Sequence, residues 1–246
     1  MAVPACKSVP LCFNPSVWFD ASNPLGDQTQ PSNGASITDW KDLSGNNSHA
    51  VQATAANQPT YATNAVNSKP VVSFDGVDDF MDSANGLLGL TTNATMIYVA
   101  SFGNVTTQNA TVISSTPDDA SNRIDTAGPY LAGTSQYIFD FGVAGGAGRI
   151  AGAFTEAKDT YYSFTYYVNS ATPAQTVYVN NSSKYNKATA TSTFTPGTKT
   201  LRLCRFAASA AYTLGKIAEI LIFPRALSTT EMASVYAYLK GKYALP

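Results

Sequence analysis

The segment "ATMIYVASF" (94–102) is apolar on both parities: Met96 and Tyr98 point one way, Ile97 and Val99 the other. Successive side chains of a strand alternate between faces, so this pattern predicts a central strand covered on both sides. A second long segment, "TYYSFTYYV" (160–168), sets Tyr162, Phe164, Tyr166 and Val168 on one parity, which reads as core. Its other parity, Tyr161, Ser163, Thr165 and Tyr167, has two readings. It is either a Tyr-lined concave face that stacks on sugars or, more commonly, an exposed polar-aromatic face with ordinary cross-strand pairs.

Outward from these two, runs rich in β-branched and aromatic residues recur between Gly, Pro, Asn and Asp clusters, as in antiparallel all-β domains. They are "SVWFD" (16–20), "SITDW" (36–40), "KPVVSFD" (69–75), "ATVISS" (110–115), "QYIFDFG" (136–142) and "RIAGAF" (149–154). "QTVYVN" (175–180), "KTLRLCRF" (199–206) and "KIAEILIF" (216–223) follow. So many strands need more cover than one wet sheet provides, which predicts two stacked sheets. The sole helix expected begins at Ser228, with Glu231 three positions on as a capping box and Met232, Val235, Tyr236 and Leu239 on one face. Gly241, Lys240, Lys242 and Pro246 are expected to close it.

The chain has 246 residues, enough for one sizeable domain, and only 13% charged residues with a formal net charge of -1. Its few basic residues are scattered, so the electrostatic footprint needed for nucleic acid is missing. No stretch approaches the roughly 18 apolar residues of a membrane span, and "KIAEILIF" is interrupted by Glu219. No membrane insertion is expected. The first residues lack the apolar core of a secretory signal, so a signal was removed or none existed. The expected organisation is an N-terminal arm over 1–15, with three prolines and two cysteines, and one domain over 16–246. Of Cys6, Cys12 and Cys204, at most one pair can bridge, Cys6 with Cys12 in first place, and three reduced thiols is the plainer reading.

"SVWFDASNP", "ITDWKDLSGNNSHAVQATAANQPTY", "KPVVSFDGVDDFMD" and "LGKIAEILIFPRALSTTEMASVYAYLKGKY", in that order, resemble the concanavalin A-like, laminin-G-like jelly-roll domains of bacterial and phage surface proteins. The resemblance covers the first third and the last eighth of the chain. It implies a two-sheet antiparallel jelly-roll sandwich with one C-terminal helix. It says little of function, because this fold hosts lectins, accessory modules, hydrolases and structural proteins. In such domains the D-x-S-G-N segment is a rim turn. Gly45 then takes an unusual dihedral, Asp42 and Ser44 bond local amides, Asn46 and Asn47 suit a left-handed turn, and Trp40 anchors the core.

Catalysis is poorly supported. His49 is the single imidazole, no G-x-S-x-G elbow accompanies it, and it reads as a solvated loop residue. Glu156, Glu219 and Glu231 lack an acidic neighbour at i+2, so the paired carboxyls of a glycosidase are not evident. No metal site is expected from the cysteines and histidine, and no cofactor is required. The aspartates Asp75, Asp78, Asp79 and Asp82 make a structural Ca2+ conceivable, or else cap a turn. Glu219, in an apolar strand on the parity of Ile217, Leu221 and Phe223, needs a partner, with Arg202, Arg205 and Arg225 as candidates for a structural ion pair.

Two functions remain. The first is a non-catalytic virion structural or decoration protein on the particle surface, tethered to capsid or tail proteins by the arm, with weak glycan adhesion. The alternative is a carbohydrate-binding module of a secreted or surface protein, and a glycoside hydrolase is a distant third. Candidate ligand-binding residues are Asp42, Asn46, Asn47, Asp78 and Asp79.

Overall fold

In the computed structural model, β7 (Ala94–Phe102) runs between β12 (Tyr162–Val168) and β16 (Leu214–Phe223), and all its side chains are buried. The structure describes residues 9–104, 109–131, 135–170, 175–188, 193–206 and 211–246. The first sheet continues through β13 (Gln175–Val179) and β14 (Ser182–Lys187) on the β12 side, and through β5 (Lys69–Asp75) and β4 (Thr60–Val66) beyond β16. On that second edge β16 is shared: residues 214–217 pair with β5 and residues 219–222 pair with β1 (Val17–Asp20).

The second sheet has the order β11 (Arg149–Ala153), β10 (Ser135–Gly142), β9 (Arg123–Leu131), β8 (Thr111–Thr116), β15 (Thr200–Leu203), β6 (Met81–Ser83), β3 (Ala50–Val51) and β2 (Asp39–Trp40). All pairings are antiparallel, so the two-sheet sandwich is the fold.

The alternation of β7 divides two apolar cores. Met96 and Tyr98 face the second sheet with Phe139, Phe141, Phe164 and Tyr166, while Ile97 and Val99 face outward with Leu221, Phe223 and the helix α1 (Thr229–Tyr243). That helix starts as expected, with Ser228 accepting the Glu231 N–H and the Glu231 side chain accepting the Ser228 N–H. It buries Met232, Val235, Leu239 and Tyr243. Gly241 does not end it: the helix runs to Tyr243 and stops at Ala244, which is left-handed at φ 51°.

The outward parity of β12 makes the cross-strand pairs read from the sequence, Tyr167 with Thr176 and Thr165 with Tyr178, but is more buried than an exposed face. Tyr161 and Tyr167 pack against the outer core, and Ser163 and Thr165 are buried. Tyr161 and Tyr167 stay half-buried, and Tyr167 meets Tyr178 of β13 edge to face with ring centroids 6.3 Å apart.

Five strands have no counterpart among the sequence runs: β3, β4, β6, β9 and β14. The long ones among them, "TYATNAV", "RIDTAGPYL" and "SSKYNK", are polar or contain Gly and Pro. Of the arm, residues 1–8 and with them Cys6 lie outside the described residues. Residues 10–13 form one 3-10 turn whose Leu11 and Phe13 pack against the outer core.

Candidate functional site

The turn after β2 is organised around Asp42. This residue is buried, and its Oδ1 accepts the N–H groups of Trp18 and Ser44, each at 2.9 Å. Its Oδ2 accepts the Ser48 N–H at 3.0 Å and the Ser44 hydroxyl at 2.7 Å. The carboxylate is saturated by its own turn, so Asp42 shapes the rim and has no lone pair to spare for a ligand. Gly45 at φ 93° and Asn47 at φ 56° supply the left-handed positions of the turn. Trp40 is fully buried with its ring 5.5 Å from that of Phe19. His49 is half-buried rather than solvated, and its Nδ1 accepts the Asp42 N–H at 3.0 Å, which orients the ring against the turn.

This turn forms one wall of a surface cleft of about 470 Å³. Ser44, Asn46 and Ser48 line it from the turn, Asn14, Pro15 and Ser16 from the segment before β1, and Asn85 and Leu88 from the loop after β6. Leu11 and Pro224 complete the lining. Asn46 Nδ2 donates to the carbonyls of Pro15 and Ser16 at 3.3 and 3.2 Å, so this side chain fastens two walls together. The Ser83 hydroxyl donates to the Ser48 carbonyl at 2.8 Å and fixes the wall to β6. Leu88 is 53% exposed, an apolar side chain held at the mouth.

Among the described residues no ionisable side chain lines the cleft. The described lining offers amides, hydroxyls and short apolar surfaces, a combination that suits a neutral polyhydroxylated ligand. Of the residues expected to bind, Asn46 lines the cleft; Asn47, Asp78 and Asp79 do not. Asn14, Asn85 and Leu88 were missed because they lie in loops, where no periodicity marks a shared wall.

Asp78 and Asp79 instead join Asp75 at the turn after β5, with carboxylate oxygens within 4.8 Å of one another. Asp75 Oδ1 accepts the Val77 and Asp78 N–H groups, and Asp79 Oδ2 accepts the Asp75 N–H at 2.9 Å. Burial raises the Asp79 pKa to about 6; the Asp75 amide opposes this, and the neighbouring Asp75 and Asp78 charges add to it. Asp82 stands apart, forked by Arg202 at 2.8 and 2.8 Å.

Glu219 has a structural partner, but none of the three arginines. A bulge between Ile217 and Glu219 breaks the alternation, so Ile217 faces the inner core while Glu219 joins Trp18 and α1 on the outer side. Its carboxylate accepts from Trp18 Nε1 at 2.7 Å, Tyr243 Oη at 2.8 Å and Lys242 Nζ at 2.8 Å. Arg225 pairs with Glu231 instead. Glu156, the remaining Glu, is bonded to the Tyr137 hydroxyl and lies 2.8 Å from Lys184 Nζ.

No family model matches the chain, and no curated protein sequence does. Solved structures do. One is domain 4 of AbnA, a GH43 extracellular arabinanase from Geobacillus stearothermophilus, in complex with arabinotriose, at 14% identity and TM-score 0.66 over 91% of this chain and 98% of that one. Another is the receptor binding domain of botulinum neurotoxin C/D mosaic serotype, at 11% identity and TM-score 0.57 over 92% of this chain. A third is Trypanosoma rangeli sialidase in complex with sialic acid, at 10% identity and TM-score 0.55 over 93% of this chain. The chain spans 51% of the botulinum structure and 33% of the sialidase. At such identities these likenesses show a shared jelly-roll sandwich fold.

Proposed function

We propose that this chain is a non-catalytic carbohydrate-binding domain that holds a neutral stretch of glycan in the rim cleft. The observation that carries this reading is the lining: six amide- or hydroxyl-bearing residues beside Leu88 and prolines, with no acid or base among them. Likeness over 91% of the chain to an arabinanase domain in complex with arabinotriose supports it. Calorimetric titration with arabino-oligosaccharides and a panel of other neutral oligosaccharides tests it. Binding that weakens in Asn85→Ala and Leu88→Asp supports the cleft; no heat with any neutral sugar at millimolar concentration rejects it. Release of new reducing ends would reject the non-catalytic part.

Display of the domain on a virus particle, through capsid or tail proteins, extends the same reading. Its support is compositional: a low-charge surface rich in Asn, Ser and Thr. Mass spectrometry of purified particles is the test, and absence of the chain from them rejects it.

A further inference from the structure

Four of the five arginines, Arg123, Arg149, Arg202 and Arg205, belong to the second sheet or to the segment that follows β15. Three have carboxylate partners. Arg123 and Arg149 both bond Asp140, at 2.5–2.9 Å, and Arg202 forks Asp82. Arg205 forms no ion pair among the described residues, and its buried Nε has no hydrogen-bond partner.

Its backbone is nonetheless firmly placed. The Arg205 carbonyl accepts the Ser114 hydroxyl at 2.8 Å, and Arg205 bridges to Tyr212 across the segment after β15. The guanidinium lies over the rings of Phe80 and Tyr212, at 5.0 and 5.2 Å from their centroids, and Arg202 also lies over Phe80 at 4.8 Å. Arg205, Phe80 and Tyr212 are all half-buried, so the group is held in place and still reaches solvent.

Two guanidinium groups on one ring with a single carboxylate between them leave an unneutralised positive charge. Asp125, the cross-strand neighbour of Ser114, does not cancel it, because burial pushes that carboxyl well above the usual range toward its neutral form. The unpartnered Nε–H is closed to solvent, so an incoming acceptor would meet the Nη groups at the solvent-facing end of this half-buried guanidinium. The planar fork matches a carboxylate, and half-exposed aromatic rings beside it offer a surface for a sugar ring.

We infer that Arg205, flanked by Phe80 and Tyr212, is a second ligand site, for the carboxylate-bearing residues of an acidic glycan. It adds to the glycan-binding reading of the rim cleft without using any cleft residue.

The test is titration of the full chain with oligogalacturonate, oligomannuronate and sialyllactose, each beside its methyl ester. At least one acid should bind, and its ester should bind at least tenfold more weakly. Arg205→Gln and Tyr212→Leu should each lose tenfold or more, Arg205→Lys should recover only part, and Ser228→Ala, at the start of α1 and outside both sites, should leave acid binding unchanged. Amide shift mapping on the wild-type chain should move Phe80, Arg205 and Tyr212, which keeps the inference testable where a variant misfolds. Binding of none of the three acids, equal affinity for acid and ester, or shifts confined to the rim would overturn it. Neutral-sugar binding at the rim with no acid binding would sink this site and leave the cleft reading intact, and acid binding at Arg205 with no neutral-sugar binding would do the reverse.

Discussion

Lys242 Nζ lies 2.8 Å from Glu219 Oε2, and this buried pair fastens the last turn of α1 to the first sheet. The same ammonium is 2.6 Å from Asp20 Oδ2, so one cation serves carboxylates from β1 and β16 together. Burial raises the Glu219 pKa, Lys242 lowers it again, and the Asp20 charge raises it. Removing the cation leaves two acids facing each other in a dry layer. Lys242→Ala should therefore cost about 3 kcal/mol or more, read as a drop in Tm of several degrees. Glu219→Leu combined with Lys242→Met should not recover the loss, since Asp20 keeps a buried charge without its cation and the Trp18 and Tyr243 donors lose their acceptor. A change in the single variant too small to measure would show that the pair is no anchor.

Asp42→Ala should destabilise by roughly 2–4 kcal/mol, because three backbone N–H groups lose their acceptor at once. Asp42→Asn, which keeps one acceptor oxygen, should lose less. Chemical denaturation of the two variants gives the comparison, and equal losses would contradict the arrangement described. Any loss of sugar binding in Asp42→Ala reports a collapsed wall rather than a lost contact.

Asp79 sets a pH dependence. Its folded pKa of about 6 stands above the ordinary 3.8, so the folded state takes up a proton between those values. Stability from this group is complete below about pH 4, declines as pH rises through 6, and is level beyond. Asp79→Asn removes that slope, and its stability relative to wild type should improve by about 2–3 kcal/mol from pH 4 to pH 7. Thermal melts at the two pH values check this. The same melts test the structural Ca2+ raised by the sequence: uptake by Asp75, Asp78 and Asp79 would lift the wild-type Tm at neutral pH and leave Asp79→Asn unmoved, whereas no lift in either chain rejects it.

Leu88→Asp should weaken neutral-glycan binding tenfold or more without moving the Tm by more than about a degree, because the side chain is mostly in solvent already. Ser228→Ala should do the opposite, costing about 1 kcal/mol of stability with binding unchanged, since it removes only the hydroxyl that accepts the Glu231 N–H and donates to the Glu231 carboxylate at the start of α1. Paired melting and titration curves separate the two cases.

The sandwich was legible in the sequence where both parities of a run were apolar, as in β7, and the helix was legible because its capping box and apolar stripe are local. The strands that escaped notice are those whose outward residues are polar, such as "SSKYNK" at the edge of the first sheet. Parity kept Glu219 with Leu221 and Phe223 but failed at Ile217, because a bulge is a property of pairing and leaves no mark in the strand's own residues. The partner of Glu219 was equally hidden: Lys242 looked like a helix-end cation, and only the docking of α1 turns it inward. The rim turn was readable as a turn, since Asp42, Gly45 and Asn47 have local reasons to be there. The cleft was not, because Asn14, Asn46 and Asn85 meet only after three separate loops are brought together.

The double pairing of β16 also dictates when this protein can become itself. Residues 17–20 and 72–75 find their neighbours on a strand that begins at residue 214, roughly 200 and 140 positions downstream. On the ribosome, the opening third must wait unsealed until nearly everything else has been translated. A nascent chain halted before residue 214 should stay protease-sensitive and bind a chaperone, and one released past residue 243 should close in a single late, slow event.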